Sequence, residues 1–428
     1  MYLNTFLFMF GLDPDNFINE VVEPVESDDG MIVYNLRQRI DNKRCPNCNS
    51  HHAIIHNYFY TETRFTSNKG KPIVIRIKKV RYKCKDCNKT FTLPIVGIER
   101  YAKVGSQISE LMIKDFYSQK SFSIIANDYQ ISVAQVMHIF DQTFINIPKY
   151  SLPSALCIDE IGFKTEDGSY AAIIYDHDKK IVTDVIRNRQ IEYLRCYFKG
   201  YSFYEREQVK YFISDLYEGY ATIKEEFFPK AHHIADMFHV IRLLRTEVSR
   251  LRVITYKQYT EDGDVERNFM KQHWEVFEKY LDSYLYHKPY YSKKENVEYI
   301  TWKMIERCLA LNHTFWTAYY NLQELLEYTR WKTFDEAILG IKKISKSLGD
   351  SQNENLVRVS ETYWRWRIEI ANAITIKNVD KKRFSNGPAE GLNNAIKTLI
   401  KDANGYKNFE RFRKRVLLIL RNGKGPRT

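Results

Sequence analysis

The sequence predicts a multidomain chain of mixed α and β structure, and three observations carry the prediction. Two Cys-x-x-Cys pairs flank a segment whose apolar residues alternate. Short apolar runs beyond Pro153 carry an aspartate or end in one. Roughly residues 245–380 then turn helical in period and hold all six tryptophans. A length of 428 residues leaves room for about two to four domains. With 44% hydrophobic and 28% charged residues the composition is globular, which excludes a wholly disordered chain. The net charge of +12 is concentrated, since residues 43–103 hold 14 basic and 3 acidic side chains. Such a surplus points to a polyanionic partner, nucleic acid by default. Seven cysteines, four of them in the paired motifs, exclude a disulfide scaffold and imply a reducing cytosol with one metal site. The apolar start Leu3–Phe10 has no basic residue before it and runs into Asp13 and Asp15, so it does not read as a signal peptide. No apolar run approaches the ~20 residues of a membrane span.

Cys45-Pro-Asn-Cys48 and Cys84-Lys-Asp-Cys87 each run into an asparagine suited to a tight turn. Each knuckle aims two thiolates at one point, and two knuckles complete the Cys₄ shell of a structural Zn²⁺, which leaves no position open for chemistry. Between them Ile54–Tyr60, a turn around Ser67-Asn68-Lys69-Gly70, and the alternating Ile73, Ile75 and Ile77 predict a hairpin with a knuckle at each end. Its Arg76, Lys78, Lys79 and Arg81 are candidate DNA contacts, while His51, His52 and His56 read as surface histidines. Four unrelated buried cysteines are the alternative, which the paired spacing disfavours.

Roughly residues 105–150 are helical by period. Ser121–Tyr129 makes one short helix, Gln130-Ile131 a turn, and Ser132 caps Val133–Phe140. Two short helices across a tight turn resemble a helix-turn-helix, with Ser132, Ala134, Gln135 and His138 on the side that would meet a groove. An ordinary helical hairpin fits the same pattern. Pro148 and Pro153 mark a linker.

Ala155–Ile161 then reads as a buried strand with Asp159 in its middle, and Tyr170–Tyr175 and Lys180–Ile186 follow as an antiparallel meander. Next come a helix near Gln190–Tyr201, a strand Val209–Ser214 ending at Asp215, a helix Glu218–Phe228, a strand Ala231–Ala235 ending at Asp236, and a helix opening with Phe238-His239. This β-β-β-α-β-α-β-α order is that of the ribonuclease-H-like fold, in which the first strand lies beside the fourth and would bring Asp159 to Asp215. Carboxylates so placed suit two Mg²⁺ (or Mn²⁺) ions ~3.5–4 Å apart, which activate the attacking oxygen and stabilise the leaving one in phosphodiester displacement. A buried aspartate demands a cation or an arginine, and a salt-bridged core residue is the plainer alternative for either aspartate alone. Glu160, on the opposite strand face, reads as structural or solvent-facing.

A third carboxylate comes from Ser385-Asn386-Gly387-Pro388-Ala389-Glu390, a helix start capped by Ser385 or Asn386. Glu390, Asn393 or Asn394, and Lys397 share one face at i, i+3/i+4 and i+7, an acid, an amide and a base that suit a metal and phosphates. A solvated helix face is the alternative.

In order along the chain, the paired knuckles, the Asp159 strand, Ser214-Asp215, Asp236-Met-Phe-His239 and Asn386-Gly-Pro-Ala-Glu-Gly-Leu-Asn-Asn394 resemble the bacterial insertion-sequence transposases of the ISL3 type. The resemblance runs to Gly405-Tyr406-Lys407-Asn408-Phe409 and so covers most of the chain. It implies a catalytic triad of Asp159, Asp215 and Glu390 holding Mg²⁺, with Asp236, His239, Asn393 and Asn394 in support; a core histidine is the alternative for His239. It further implies binding of terminal inverted repeats, strand cleavage, and transfer of the freed 3′-hydroxyl to target DNA. A homodimer or higher oligomer would act in the bacterial cytoplasm, on the nucleoid.

The expected architecture is an N-terminal segment (1–40) open to dimerisation, a zinc ribbon (41–100), a helix-turn-helix (101–150), and a ribonuclease-H-like α/β catalytic core (151–244 and 381–428) interrupted by an all-helical insertion (245–380). Most of the six tryptophans should pack between helices, with Trp364-Arg365-Trp366-Arg367 the place for an exposed ring. Arg411-Phe-Arg413-Lys-Arg415 reads as a basic helix end followed by a tail; Lys397, Arg411 and Arg413 are candidate phosphate contacts, although a solvated charge run fits as well. Two rival readings stay open, a domesticated non-catalytic DNA-binding protein or regulator and a structure-selective nuclease on the same core.

Overall fold

The computed structural model describes residues 3–18, 23–28, 30–40, 43–68, 71–96, 98, 104–378, 381–384, 387–403 and 405–421. The chain divides into two compact units, residues 1–148 with 398–419 and residues 149–397 with 420–428.

In the first unit, strands Pro24–Glu26, Ile32–Arg37, Lys71–Cys84 and Ala53–Asn68 lie side by side in that order, with Thr90–Thr92 paired to Lys71–Cys84. The predicted hairpin is present; Lys69 and Gly70 of its turn lie outside the described residues. Ile73, Ile75 and Ile77 are buried with Phe6, Phe10 and Phe65, as period-two alternation requires. Across Lys78-Lys79 the buried parity switches, and Val80 and Tyr82 instead join Cys45, Cys84 and Phe91. One hairpin therefore serves two small cores.

Helices Ser106–Phe116, Phe122–Asp128 and Val133–Thr143 pack around Phe116, Phe122 and Phe140, whose rings meet at 5.1–6.1 Å. The tight turn between the last two passes through Gln130 at φ 50, a left-handed conformation. Ser132 and Gln135 then form a reciprocal capping box. The expected C-terminal tail is corrected: Phe409–Leu420 is one helix, and Val416, Leu417 and Leu418 are buried on it. Its basic residues are largely spent within this unit. Arg411 donates to Asp141 at 3.1 and 2.6 Å. Arg415, 1% exposed, donates to the carbonyls of Phe116, Ser118 (3.2 Å) and Lys120 (2.7 Å), closing off the end of the helix Ser106–Phe116.

The second unit is built on a five-stranded sheet in the order His232–Ala235, Tyr211–Ser214, Ala155–Thr165, Gly168–Asp176, Ile181–Ile186. The first three strands are mutually parallel and the last two run antiparallel to their neighbours. The sheet buries Leu156, Ile158, Ala172 and Ile174 against Leu194 and Phe198 of the helix Ile191–Lys199 and Tyr220 and Ile223 of the helix Glu218–Phe227. From Asp236 the 22-residue helix Met237–Gln258 leads into a separate core with Phe269, Met304, Phe315, Leu322, Ile344 and Tyr363.

Two expectations about this insertion are corrected. It is not all helical, since Pro289–Ser292 and Val297–Ile300 pair as an antiparallel hairpin turning at Asn296, φ 56. The β-formers Tyr290, Tyr291, Val297, Tyr299 and Ile300 account for it. Nor are most tryptophans core. Trp331 and Trp366 are buried and Trp302 packs partly buried against the same core, but Trp274, Trp316 and Trp364 are exposed, with Trp316 stacked on His313 and Trp364 under the Arg367 guanidinium. A ring that stacks or meets a cation tolerates exposure. Among the described residues no helix is long and apolar enough to cross a membrane.

Candidate active site

Three aspartates stand at the same end of three parallel strands, two of which stop there while the Asp159 strand runs on to Thr165. Asp159 lies two residues past the last pair joining its strand to Tyr211–Ser214, Asp215 follows that strand, and Asp236 follows His232–Ala235. All three line a cavity of about 1140 Å³ that also takes in Glu390, Asn393, Asn394 and Lys397. The predicted carboxylates thus meet around one space.

The walls of that cavity share a spacing. From Met237–Gln258 come His239, Arg242, Leu243 and Thr246; from Glu354–Arg365 come Asn355, Arg358, Val359 and Thr362; from Gly387–Asp402 come Glu390, Asn393, Asn394 and Lys397. Each set runs i, i+3, i+4, i+7, so each helix presents one stripe to the space. The Ser385 and Asn386 expected to cap the last helix lie outside the described residues. Arg242 and Arg358 were missed from the sequence; their spacing from His239 and from Thr362 is the signal that would have found them.

Asp159 is 7% exposed, and both its oxygens are engaged. Oδ1 accepts from the backbone N–H of Glu160 at 2.7 Å, and Oδ2 accepts from Asn393 Nδ2 at 2.8 Å. The Asn393 carbonyl in turn accepts from the Tyr175 hydroxyl, which fixes the orientation of the amide. Burial raises the Asp159 carboxyl above its usual range. Burial likewise pushes Asp215 up to about 6, and its Oδ1 accepts from Tyr217 N at 3.2 Å. Asp236 caps the helix that follows, Oδ1 accepting from Phe238 N at 3.0 Å, while Oδ2 stands 3.5 Å from His239 Nδ1. Glu160 pairs with Arg189, whose guanidinium lies 4.7 Å from the Tyr170 ring and 4.9 Å from that of Tyr217, in keeping with a structural role, although Glu160 also borders the cavity. Glu390 is exposed.

The donor set suits a hard divalent cation. Asp159 and Asp215, which burial makes costly to ionise, would be stabilised as anions by such a cation. Among the described residues only Cys45, Cys48, Cys84 and Cys87 bring three or more ligand atoms within 4.8 Å of one another, so the carboxylates face the cavity without closing to that distance. In the cysteine cluster Cys45 and Cys87 sulfurs lie 3.6 Å apart, as do those of Cys48 and Cys84. Four sulfurs about 2.3 Å from one tetrahedral centre stand about 3.8 Å apart, so the cluster fits zinc. Asn49 and Asn88, φ 58 and 57, make the turn after each knuckle, and the Cys87 backbone N–H helps draw the Cys84 thiol down to about 7.

Of the candidate DNA contacts, Arg76 pairs with Glu62 at 2.7 Å, Lys78 lies over the Tyr58 ring, and Arg81 lies over Phe59. Lys79 is half-buried, and burial lowers its pKa. Ser132 and His138 are exposed, whereas the Gln135 side chain is engaged in the cap. Arg411 is held by Asp141, Arg413 lies 3.8 Å from Glu410, and Lys397 borders the cavity.

Residues 156–416 match the model of an ISL3-type DDE family described as transposase. No curated protein matches the chain.

Proposed function

The chain belongs to the ISL3-type DDE transposases, and from that membership we propose that it binds the terminal inverted repeats of an insertion sequence and carries out metal-dependent strand cleavage followed by 3′-hydroxyl strand transfer. The observation that carries the proposal is the convergence of Asp159, Asp215 and Glu390 on one cavity whose other walls supply Arg242, Arg358 and Lys397. A ribonuclease-H-like reading of the core is supported by the strand order and by the parallel pairing of the Asp159 and Asp215 strands. The three carboxylates would hold a Mg²⁺ pair, which when bound activates the attacking oxygen and stabilises the leaving one. The chain's own side chains do the rest. Asn393 orients Asp159, and the arginines and Lys397 neutralise the phosphates on either side of the scissile bond. In this reading Asp236 and His239 brace the first turn of their helix beside the metal site. The capped helix Val133–Thr143 and the basic hairpin would hold the repeats, and joining two ends calls for at least a homodimer.

The test is cleavage, in Mg²⁺, of DNA bearing the repeats that flank the gene, by the wild type and by Asp215→Asn. The amide keeps the shape and removes the charge. Cutting at the repeat ends that disappears in the variant is the expected result. Binding without cutting by either protein would transfer the assignment to a non-catalytic DNA-binding protein.

A further inference from the structure

A second hollow of the 149–397 unit, about 360 Å³, shares no lining residue with the carboxylate cavity. Lys332, Lys377, Lys381 and Arg383 line it with Thr329 and Thr375, and no acid is among its described lining residues. The sequence builds it from a helix end and a tight turn. The helix Arg367–Thr375 stops, Lys377 then bridges antiparallel to Arg383, and Lys381 N donates to Asn378 O at 2.9 Å with Lys381 at φ 59. Lys377 and Lys381 both line the hollow. Arg383 braces it, donating to the Ile374 carbonyl at 2.5 Å and to the Thr329 carbonyl at 3.4 Å, while Lys332 Nζ donates to the same Thr329 oxygen at 3.1 Å. Among the described residues neither Lys377 nor Lys381 forms an ion pair.

The four cations outnumber the acids beside them, Glu336, which accepts from the Lys332 backbone N–H at 2.6 Å, and Asp380, which lies outside the described residues, so the hollow keeps a positive excess that attracts an anion. Lysine ammoniums, a guanidinium and threonine hydroxyls are donors matched to phosphate oxygens. We infer that this hollow binds a phosphate oxyanion, and that its source is the backbone of the DNA duplex, an inference that rests on the transposase reading. Lys332, Lys377 and Lys381 are exposed, so the charge lies open to a polymer running past rather than enclosed around a small ion. The position gives the contact a second use. Arg383 precedes Glu390 by seven residues, and Phe384 between them is buried with its ring 4.9 Å from that of His177 and 4.7 Å from that of Tyr211. A phosphate held here ties the DNA to the segment that delivers Glu390.

The experiment measures affinity of the full-length chain for duplex DNA carrying the flanking repeats, between about 50 and 200 mM salt and without added Mg²⁺, for the wild type and for Lys377→Gln/Lys381→Asn. Asparagine at 381 tolerates the left-handed backbone. Loss of two phosphate contacts at ~0.9 each makes the slope of log K against log salt shallower by about 1.8, and Lys377→Arg retains the wild-type slope. An unchanged slope and affinity in the double variant, with wild-type binding intact, overturns this inference alone. A wild type that binds no duplex overturns the transposase reading and this inference with it. Inorganic phosphate is the second probe. A rise in melting temperature with phosphate that the double variant loses while its DNA slope stays unchanged would identify a free-phosphate site and overturn the duplex assignment.

Discussion

Asn393 is held from both sides, its amide donating to Asp159 and its carbonyl accepting from Tyr175. Removing such a support around a metal-binding carboxylate costs roughly 10–100-fold in metal affinity or activity, so Asn393→Ala should lower Mg²⁺-dependent cleavage by that range with its melting temperature little changed. Full activity in Asn393→Ala would show that Asp159 needs no such orientation. Asp215 makes a prediction of its own, because burial raises it from 3.8 to about 6. At pH below about 4 the carboxyl is neutral in both folded and unfolded chains and costs nothing. Between about pH 4 and pH 6 the unfolded chain ionises while the folded chain keeps the proton, so metal-free stability falls by about 3 kcal/mol across that window and stays at the lower level above it. Asp215→Asn removes that loss. Its metal-free melting temperature at pH 7.5 should exceed that of the wild type by several degrees, the two converging near pH 4. Added Mg²⁺ should raise the wild type and leave the variant largely unmoved, which a thermal-shift titration reads directly.

At the scale of elements, the strands that place Asp215 and Asp236 were legible because each is a short apolar run followed by an aspartate, and the Asp159 strand because its apolar run is interrupted by one; strands buried on both faces leave such runs. The stripe on the helix Gly387–Asp402 was legible for the same kind of reason, a spacing that survives without knowing what the helix faces. Arg242 and Arg358 were not, since a basic residue on a helix is ordinary until a neighbouring element puts acids opposite it. Arg415 was read as surface charge because its partners are carbonyls some 300 positions earlier, which no local pattern encodes. The capping box of Val133–Thr143 divides two roles on one helix. Gln135→Ala should cost about 1 kcal/mol in urea unfolding of the first unit through the lost cap. Ala134→Glu leaves the cap alone and places a negative charge on the exposed face, so it should weaken repeat binding at least tenfold at unchanged stability. Unaltered binding by Ala134→Glu would take that face out of the DNA interface.

At the scale of the whole molecule, two compact units with separate cores predict two calorimetric transitions rather than one. Chelating the zinc should lower only the transition of the unit that contains Cys45, Cys48, Cys84 and Cys87, because the buried Cys45 and Cys84 would be left as part of a small core with no cation to hold it. A single transition that moves as a block would contradict this division. The same division has a consequence in time. The helix Phe409–Leu420 buries Arg415 against the ends of helices made near residue 116, so the unit whose synthesis begins first is completed only after residues 149–397 of the other have been made. At about 5–20 residues per second a ribosome takes on the order of 15–55 s to pass from residue 148 to residue 419. For that interval the nascent chain carries three helices without their keystone, while the sheet that bears the carboxylates is made in between. A message truncated before the last helix would yield a chain that has made its carboxylate site but never closed the unit through which it is expected to hold DNA.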